Sequence, residues 1–130
     1  MKDGKQLEAL IEMMFLAVHA DGEFDDRERN AFAMQVQGLS EGKIAGEAFK
    51  TLMARIEKQV TQDGRAARIA ALKDAFPDAE SRKQALSLVV RMVAADGVIR
   101  TSERELVLEV AEGLEIDGDV AADLVRASGV

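Results

Sequence analysis

The chain has no cysteine, no tryptophan and no tyrosine, and one proline and one histidine in 130 residues. Without cysteine there is no disulfide, no thiol nucleophile and no thiolate metal site, an absence that fits a reducing cytoplasm. With one histidine and no thiolate to offer, a bound metal would have to be a hard cation on oxygen ligands. Five Phe are the only aromatics, so the core has to come from Leu, Ile, Val, Met and Ala, which suits packed helices. No long hydrophobic run exists: the stretch Ala9 to Ala20 is broken by Glu12 and His19. It is too short to span a bilayer, has no small-x-small cleavage pattern and reads as a core helix. No segment alternates with period two, which argues against strands. Nor is there a phosphate loop, since Gly42 and Gly46 flank Lys43 without the Walker spacing.

What is present is an apolar content of 48% and a net charge of −7, a folding composition for one domain over residues 1–130. The charge is unevenly spread: residues 1–42 hold 4 basic and 9 acidic side chains, 43–91 hold 10 and 6, and 92–130 hold 3 and 9. The ends are acidic and the middle is basic. A surface of this kind repels phosphate backbones, so no nucleic-acid partner is expected. The middle cations Lys50, Arg55, Lys58, Arg65, Arg68 and Lys73 are spread over helix faces without interleaved aromatics. They read as solvated surface first and as a partner patch second.

Apolar positions Leu7, Leu10, Ile11, Met14, Phe15 and Val18 step by three and four and predict a first helix from Lys5 to Ala20. Asp21-Gly22 ends it. Asp25 with Glu28 is a capping-box spacing that opens a second helix to about Gly38, with Ala31, Phe32 and Val36 inward. Ser40 or Gly42 opens a third helix through Ile44, Phe49, Leu52, Met53, Ile56 and Val60. Asp63-Gly64 is a turn; Ile69, Leu72 and Phe76 mark a short fourth helix before the break at Pro77. A fifth helix carries Leu86, Val89, Val90 and Val93, and a sixth Leu106, Val107, Val110 and Leu114. Asp117 or Asp119 caps a last one with Val120, Leu124 and Val125. The six methionines fall at core-like positions and read as gap fillers. The expected fold is all-α, a compact bundle of about seven helices.

The chain writes one motif twice. Ala20-Asp21-Gly22-Glu23-Phe24-Asp25-Asp26-Arg27-Glu28-Arg29 returns 75 positions later as Ala95-Asp96-Gly97-Val98-Ile99-Arg100-Thr101-Ser102-Glu103-Arg104. Residues 10–40 slide over 85–115 with further matches up to Gly38-Leu39 and Gly113-Leu114. Two copies are too few for a solenoid, so they predict a quasi-symmetric helix–turn–helix pair inside a bundle.

Three readings of the motif compete. Asp21 and Asp96 stand at helix C-termini, where the helix dipole disfavours a carboxylate. In the structural reading, Asp21 and Asp96 accept backbone N–H bonds in their turns, and Glu28 and Glu103 stabilise the first turn of the next helix. In the cation reading, Asp21, Glu23, Asp25, Asp26 and Glu28 offer oxygens to Ca²⁺, Mg²⁺ or Mn²⁺. The spacing is not that of an EF-hand, since Asp26 stands where glycine is needed and Phe32 where a bidentate Glu is needed. The second copy is poorer, with Val98 and Arg100 at the matching places, so a composite site needs acids from both copies. It forms only if the first and fifth helices are parallel neighbours, which would gather Asp21, Glu28, Asp96 and Glu103 at one end. In the enzymatic reading, paired carboxylates act as a hydrolase. Nothing in the sequence supplies an apolar pocket to raise one pKa, and His19, mid-helix beside an apolar face, reads as a packed or edge residue.

At these residues the chain resembles the TerB family of tellurite-resistance proteins, whose domain is also similar to part of a class of DnaJ-type co-chaperones. The doubled Ala-Asp-Gly-x-apolar-x-x-x-Glu, one copy after each long apolar helix, carries the resemblance over roughly residues 5–126. It implies an all-helical, non-enzymatic domain acting in bacterial stress or toxic-oxyanion responses through protein complexes at the inner membrane face. It also implies divalent-cation binding by the motif acids, which here are Asp21, Glu28, Asp96 and Glu103. Arg100 departs from the family pattern, weakens the second half as a ligand set and shifts helix capping to Thr101 or Ser102. A purely structural protein–protein adapter, whose acidic ends steer a basic partner, is the alternative.

Overall fold

The computed structural model describes residues 4–19, 26–94 and 101–127. In chain order these form α1 (Gly4–Val18), α2 (Asp26–Leu39), α3 (Glu47–Asp63), α4 (Arg65–Leu72), one 3₁₀ turn (Lys73–Ala75), α5 (Ala79–Val93), α6 (Thr101–Gly113) and α7 (Gly118–Ala127). The fold is all-α with seven α-helices, and no strand occurs among the described residues.

α1 is the axis of the molecule. Its residues Ala9 to Ala17 are all buried, the mark of a helix surrounded by others and not laid on a surface. It packs against α4, the 3₁₀ turn, α5 and α6, while α7 closes over α5 and α6. Leu10, Ile11 and Met14 of α1, Leu86 and Val89 of α5, and Leu106, Val107 and Val110 of α6 build the centre of the core. α2 stands apart from this bundle with only Phe32 and Val36 buried. Phe32 anchors it, its ring 6.5 Å from Phe15 of α1 and 6.0 Å from Phe49 of α3.

The repeat is visible in the helix bounds: α1 and α5 start and end 75 residues apart, and so do the starts of α2 and α6. Cross-links give the directions. Arg65, Ile69 and Lys73 meet Glu109, Gly113 and Glu115 in turn, so α4 and α6 run the same way. Arg68 meets Glu12, and Gln6 at the start of α1 donates from Nε2 to the Ala75 carbonyl at 3.0 Å. The end of α4 therefore lies at the beginning of α1, and the two are antiparallel. α5 starts four residues after Ala75, at the same end as α1, and runs parallel to it. The first and fifth helices are thus parallel neighbours, the arrangement that a composite site requires. The Asp-Gly turns that follow them, at 21–22 and 96–97, lie outside the described residues.

Several local expectations are corrected. The third helix begins at Glu47 and not at Ser40 or Gly42. Ser40 is buried and its hydroxyl donates to the Gln37 carbonyl and accepts from the Ile44 amide. It fastens a loop in which Ile44 is half-buried, and Gly46, at φ 57°, supplies the backbone turn that α3 needs. Ala31 faces solvent; the buried residues of α2 are Phe32 and Val36, with Ala33 half-buried against the core. Of the methionines, Met13, Met14, Met53 and Met92 are buried but Met34 is 73% exposed. Thr101 and Ser102 are the first residues of α6 itself, so neither precedes it as a cap. Asp117 caps α7, its Oδ1 accepting from the Asp119 amide at 2.8 Å.

α2 and α6 end alike. Glu41 and Glu115 take left-handed backbone, φ 56° and 59°, and the following amides reach back to the Gln37 and Ala111 carbonyls at 2.8 Å. This satisfies carbonyls that the helix leaves open. The neighbours differ: Leu39 is 38% exposed and Leu114 fully buried.

Candidate functional site

Four of the seven acids proposed from the sequence, Asp21, Glu23, Asp25 and Asp96, lie outside the described residues. The other three are placed. Asp26 and Glu28 occupy the first turn of α2, Asp26 exposed and Glu28 half-buried, and Glu103 occupies the first turn of α6 and is buried, with 6% exposure. Negative charge at a helix N-terminus is favoured by the helix dipole. A carboxylate as buried as Glu103 is costly unless it is hydrogen-bonded or paired, and no buried side-chain polar atom of the described residues lacks a partner. Among the described residues no group of three or more Asp, Glu or His side chains is arranged to hold a metal ion. His19, just past α1, stacks on Phe15 with ring centroids 5.3 Å apart and is exposed, the edge role expected.

The middle cations Lys50, Arg55, Lys58 and Arg65 are exposed, as their spacing suggests, and Arg68 is the one drawn furthest inward. Arg55 pairs with Glu8 at 3.0 Å, Arg68 with Glu12 at 2.7 Å, Arg65 with Glu109 at 2.8 Å and Lys73 with Glu115 at 2.8 Å. Four middle cations thus reach acids of the first and last thirds of the chain, but only the Arg68–Glu12 pair is buried; the others face solvent and hold weakly. Lys50 pairs locally, with Glu47, and Arg68 has a second, local partner in Asp63. Sequence reasoning missed these links; the one available signal was Glu12, an acid in the middle of an apolar run.

Glu12 is the centre of this network. Arg68 Nε and Nη2 donate to its two carboxylate oxygens at 2.7 and 2.8 Å, and Asp63 stands 3.8 Å from the same guanidinium. The Glu12 hydrogen bonds, opposed by burial and helped by the charges of Glu12 and Asp63, hold Arg68 above its ordinary pKa. Elsewhere the helix ends carry their own charges. The Ser81 amide and hydroxyl hold the Asp78 carboxylate below its usual range at the start of α5, and the bond from Lys73 lowers Glu115 likewise.

Two grooves flank the repeated helices. One of about 520 Å³ lies between α2 and α3 and includes Arg29, Ala33, Phe49, Lys50, Met53 and Glu57. The other, about 310 Å³, lies between α6 and α7 and is lined by Arg104, Leu108, Ala122, Val125 and Arg126. No described helix is long and apolar enough to cross a membrane.

Neither the curated proteins nor the solved structures hold a significant match to the chain. One family model does match, that of the tellurite resistance protein TerB, over residues 7–124. The match runs from the second turn of α1 to all but the last turn of α7, including both copies of the motif and nearly all of the parallel pair α1 and α5. The chain belongs to the TerB family.

Proposed function

We propose that this TerB-family domain is a non-enzymatic interaction module of a bacterial stress response, working in the cytoplasm. Its doubled acidic turn binds a divalent cation, Ca²⁺, Mg²⁺ or Mn²⁺, through Asp21, Glu28, Asp96 and Glu103. Glu23, Asp25 and Asp26 lie close enough in sequence to add oxygens. The observation that carries this reading is the parallel packing of α1 and α5. Helices that begin together and have the same length end together, and each is followed by an Asp-Gly turn and then by a helix with Glu in its first turn. Oxygen ligands from both copies suit hard cations. The cation would fix the turns that meet a protein partner, in a complex at the inner membrane face.

The test is thermal unfolding with each cation at millimolar concentration against EDTA. A cation at 100 times its Kd stabilises the fold by about 2.7 kcal/mol, several degrees of Tm at this size. Unchanged Tm in all three cations would sink the reading. The alternative is an adapter without metal, in which the motif acids act only as helix caps. It is favoured by the placement of Asp26, Glu28 and Glu103 in first turns. Under it, Glu103→Gln lowers Tm equally with and without cation.

A further inference from the structure

The repeat puts an arginine in the same register at the mouth of each groove. Arg29 in α2 and Arg104 in α6 stand 75 residues apart, and both line the groove that their helix makes with the next one. Only the α6–α7 groove is cationic throughout: its lining holds Arg104, Arg126 and the apolar Leu108, Ala122 and Val125, with no carboxylate. The α2–α3 groove contains Glu57, and its Lys50 is paired with Glu47. Leu108 lies at the α6–α7 groove with 44% of its surface exposed, one of three large apolar side chains so exposed among the described residues. Arg104 is exposed and forms no ion pair among the described residues. Arg126 does pair with Asp123, but both side chains are at least 70% exposed. Such a pair in water holds its partners weakly and exchanges readily. The groove thus sets an apolar floor between two arginines within the acidic last third of the chain.

We propose that the α6–α7 groove docks an acidic amphipathic helix of a partner protein. Its aliphatic side chains pack on Leu108, Ala122 and Val125, and its carboxylates meet Arg104 and Arg126. Helix-in-groove recognition needs an apolar strip with anchors at i, i+3, i+4 and i+7. The two guanidiniums can each take a carboxylate in a two-point bond, which fixes the orientation of the helix.

The full chain is titrated with a synthetic helix of about four turns, with Leu at the anchor positions, Glu beside them and one Trp. The protein has no Trp and no Tyr, so tryptophan emission reports the peptide alone. Binding appears as a blue shift and a rise in anisotropy. Loss of roughly tenfold in affinity is expected from Arg104→Glu and again from Arg126→Glu. Leu108→Glu abolishes binding, and the repeat-related Arg29→Glu leaves it unchanged. These three lining residues are exposed or border solvent, so the variants should retain the far-ultraviolet dichroism of the parent.

No blue shift, equal binding of a Lys-for-Glu peptide, or an Arg29→Glu effect as large as that of Arg104→Glu would overturn the proposal. Phosphatidylserine vesicles bound in an Arg104-dependent way, in place of the peptide, would overturn it in favour of a lipid surface. Self-association in sedimentation that Leu108→Glu removes would overturn it in favour of a second copy.

Discussion

Arg68 of α4 holds both carboxylate oxygens of Glu12, an acid with 4% exposure at the centre of the most buried helix. The pair fixes the rotation and height of α4 against α1, because the planar guanidinium accepts only a narrow range of geometries. Removing one partner strands a buried charge. Arg68→Leu should destabilise by about 3 kcal/mol, toward the low end for buried pairs because Arg68 keeps 16% side-chain exposure. The double variant Glu12→Leu with Arg68→Leu should recover most of that loss, since two well-packed apolar residues replace a desolvated pair. Urea unfolding of the two singles and the double gives the coupling, and a purely additive cycle would refute it.

Gly113 is a close-approach glycine and Gly38, its counterpart in the first repeat, is not. A Cβ on Gly113 would stand 2.3 Å from Ile69 Cγ2, whereas one on Gly38 meets nothing within 4 Å. Gly113→Ala should cost about 1–3 kcal/mol by forcing α4 and α6 apart. Gly38→Ala should stabilise by about 0.5–1 kcal/mol through its higher helix propensity. Opposite shifts of the urea midpoint are the expected result.

Glu41 holds left-handed backbone without a side-chain bond to compensate. Glycine adopts that conformation without a Cβ penalty, so Glu41→Gly should stabilise by up to about 1 kcal/mol after its greater unfolded-state entropy is counted. The same exchange at Glu115 removes the bond from Lys73 as well, so its gain should be smaller. Paired thermal melts measure the difference.

Asp78 and Glu115 give the acid arm of the stability curve. Both have folded pKa values below their ordinary ones, Asp78 through Ser81 and Glu115 through Lys73. Their contribution is fully present above the unfolded carboxylate range, near pH 4, and is lost as pH falls through the lowered folded values. Asp78→Ala should therefore lower the urea midpoint at pH 7 and make little difference once the carboxylate is protonated in both states. A deficit that persists unchanged in strong acid would show that the side chain acts by packing and not as a charged cap.

The sequence by itself determined the helices, because their signal is local. A 3.6-residue apolar period, a proline and Asp-Gly turns need no knowledge of distant residues, and the repeat pointed to a related pair of helix–turn–helix units. Local signals failed where a later contact decided the outcome. Ser40 reads as a helix start, but its hydroxyl bonds to Gln37 and the Ile44 amide and secures a loop. Arg68 reads as solvated charge because its partner, Glu12, lies 56 residues away along the chain. Only the tertiary structure decided that the basic middle reaches acids of both ends, through one buried pair and three that face solvent. It also distinguished the two copies: the Ile69 methyl needs the space that a side chain at Gly113 would fill, and nothing stands against Gly38. Periodicity fixes which face of a helix is apolar; which helix comes to lie against that face is a long-range choice, settled by packing and by charges brought together across the bundle.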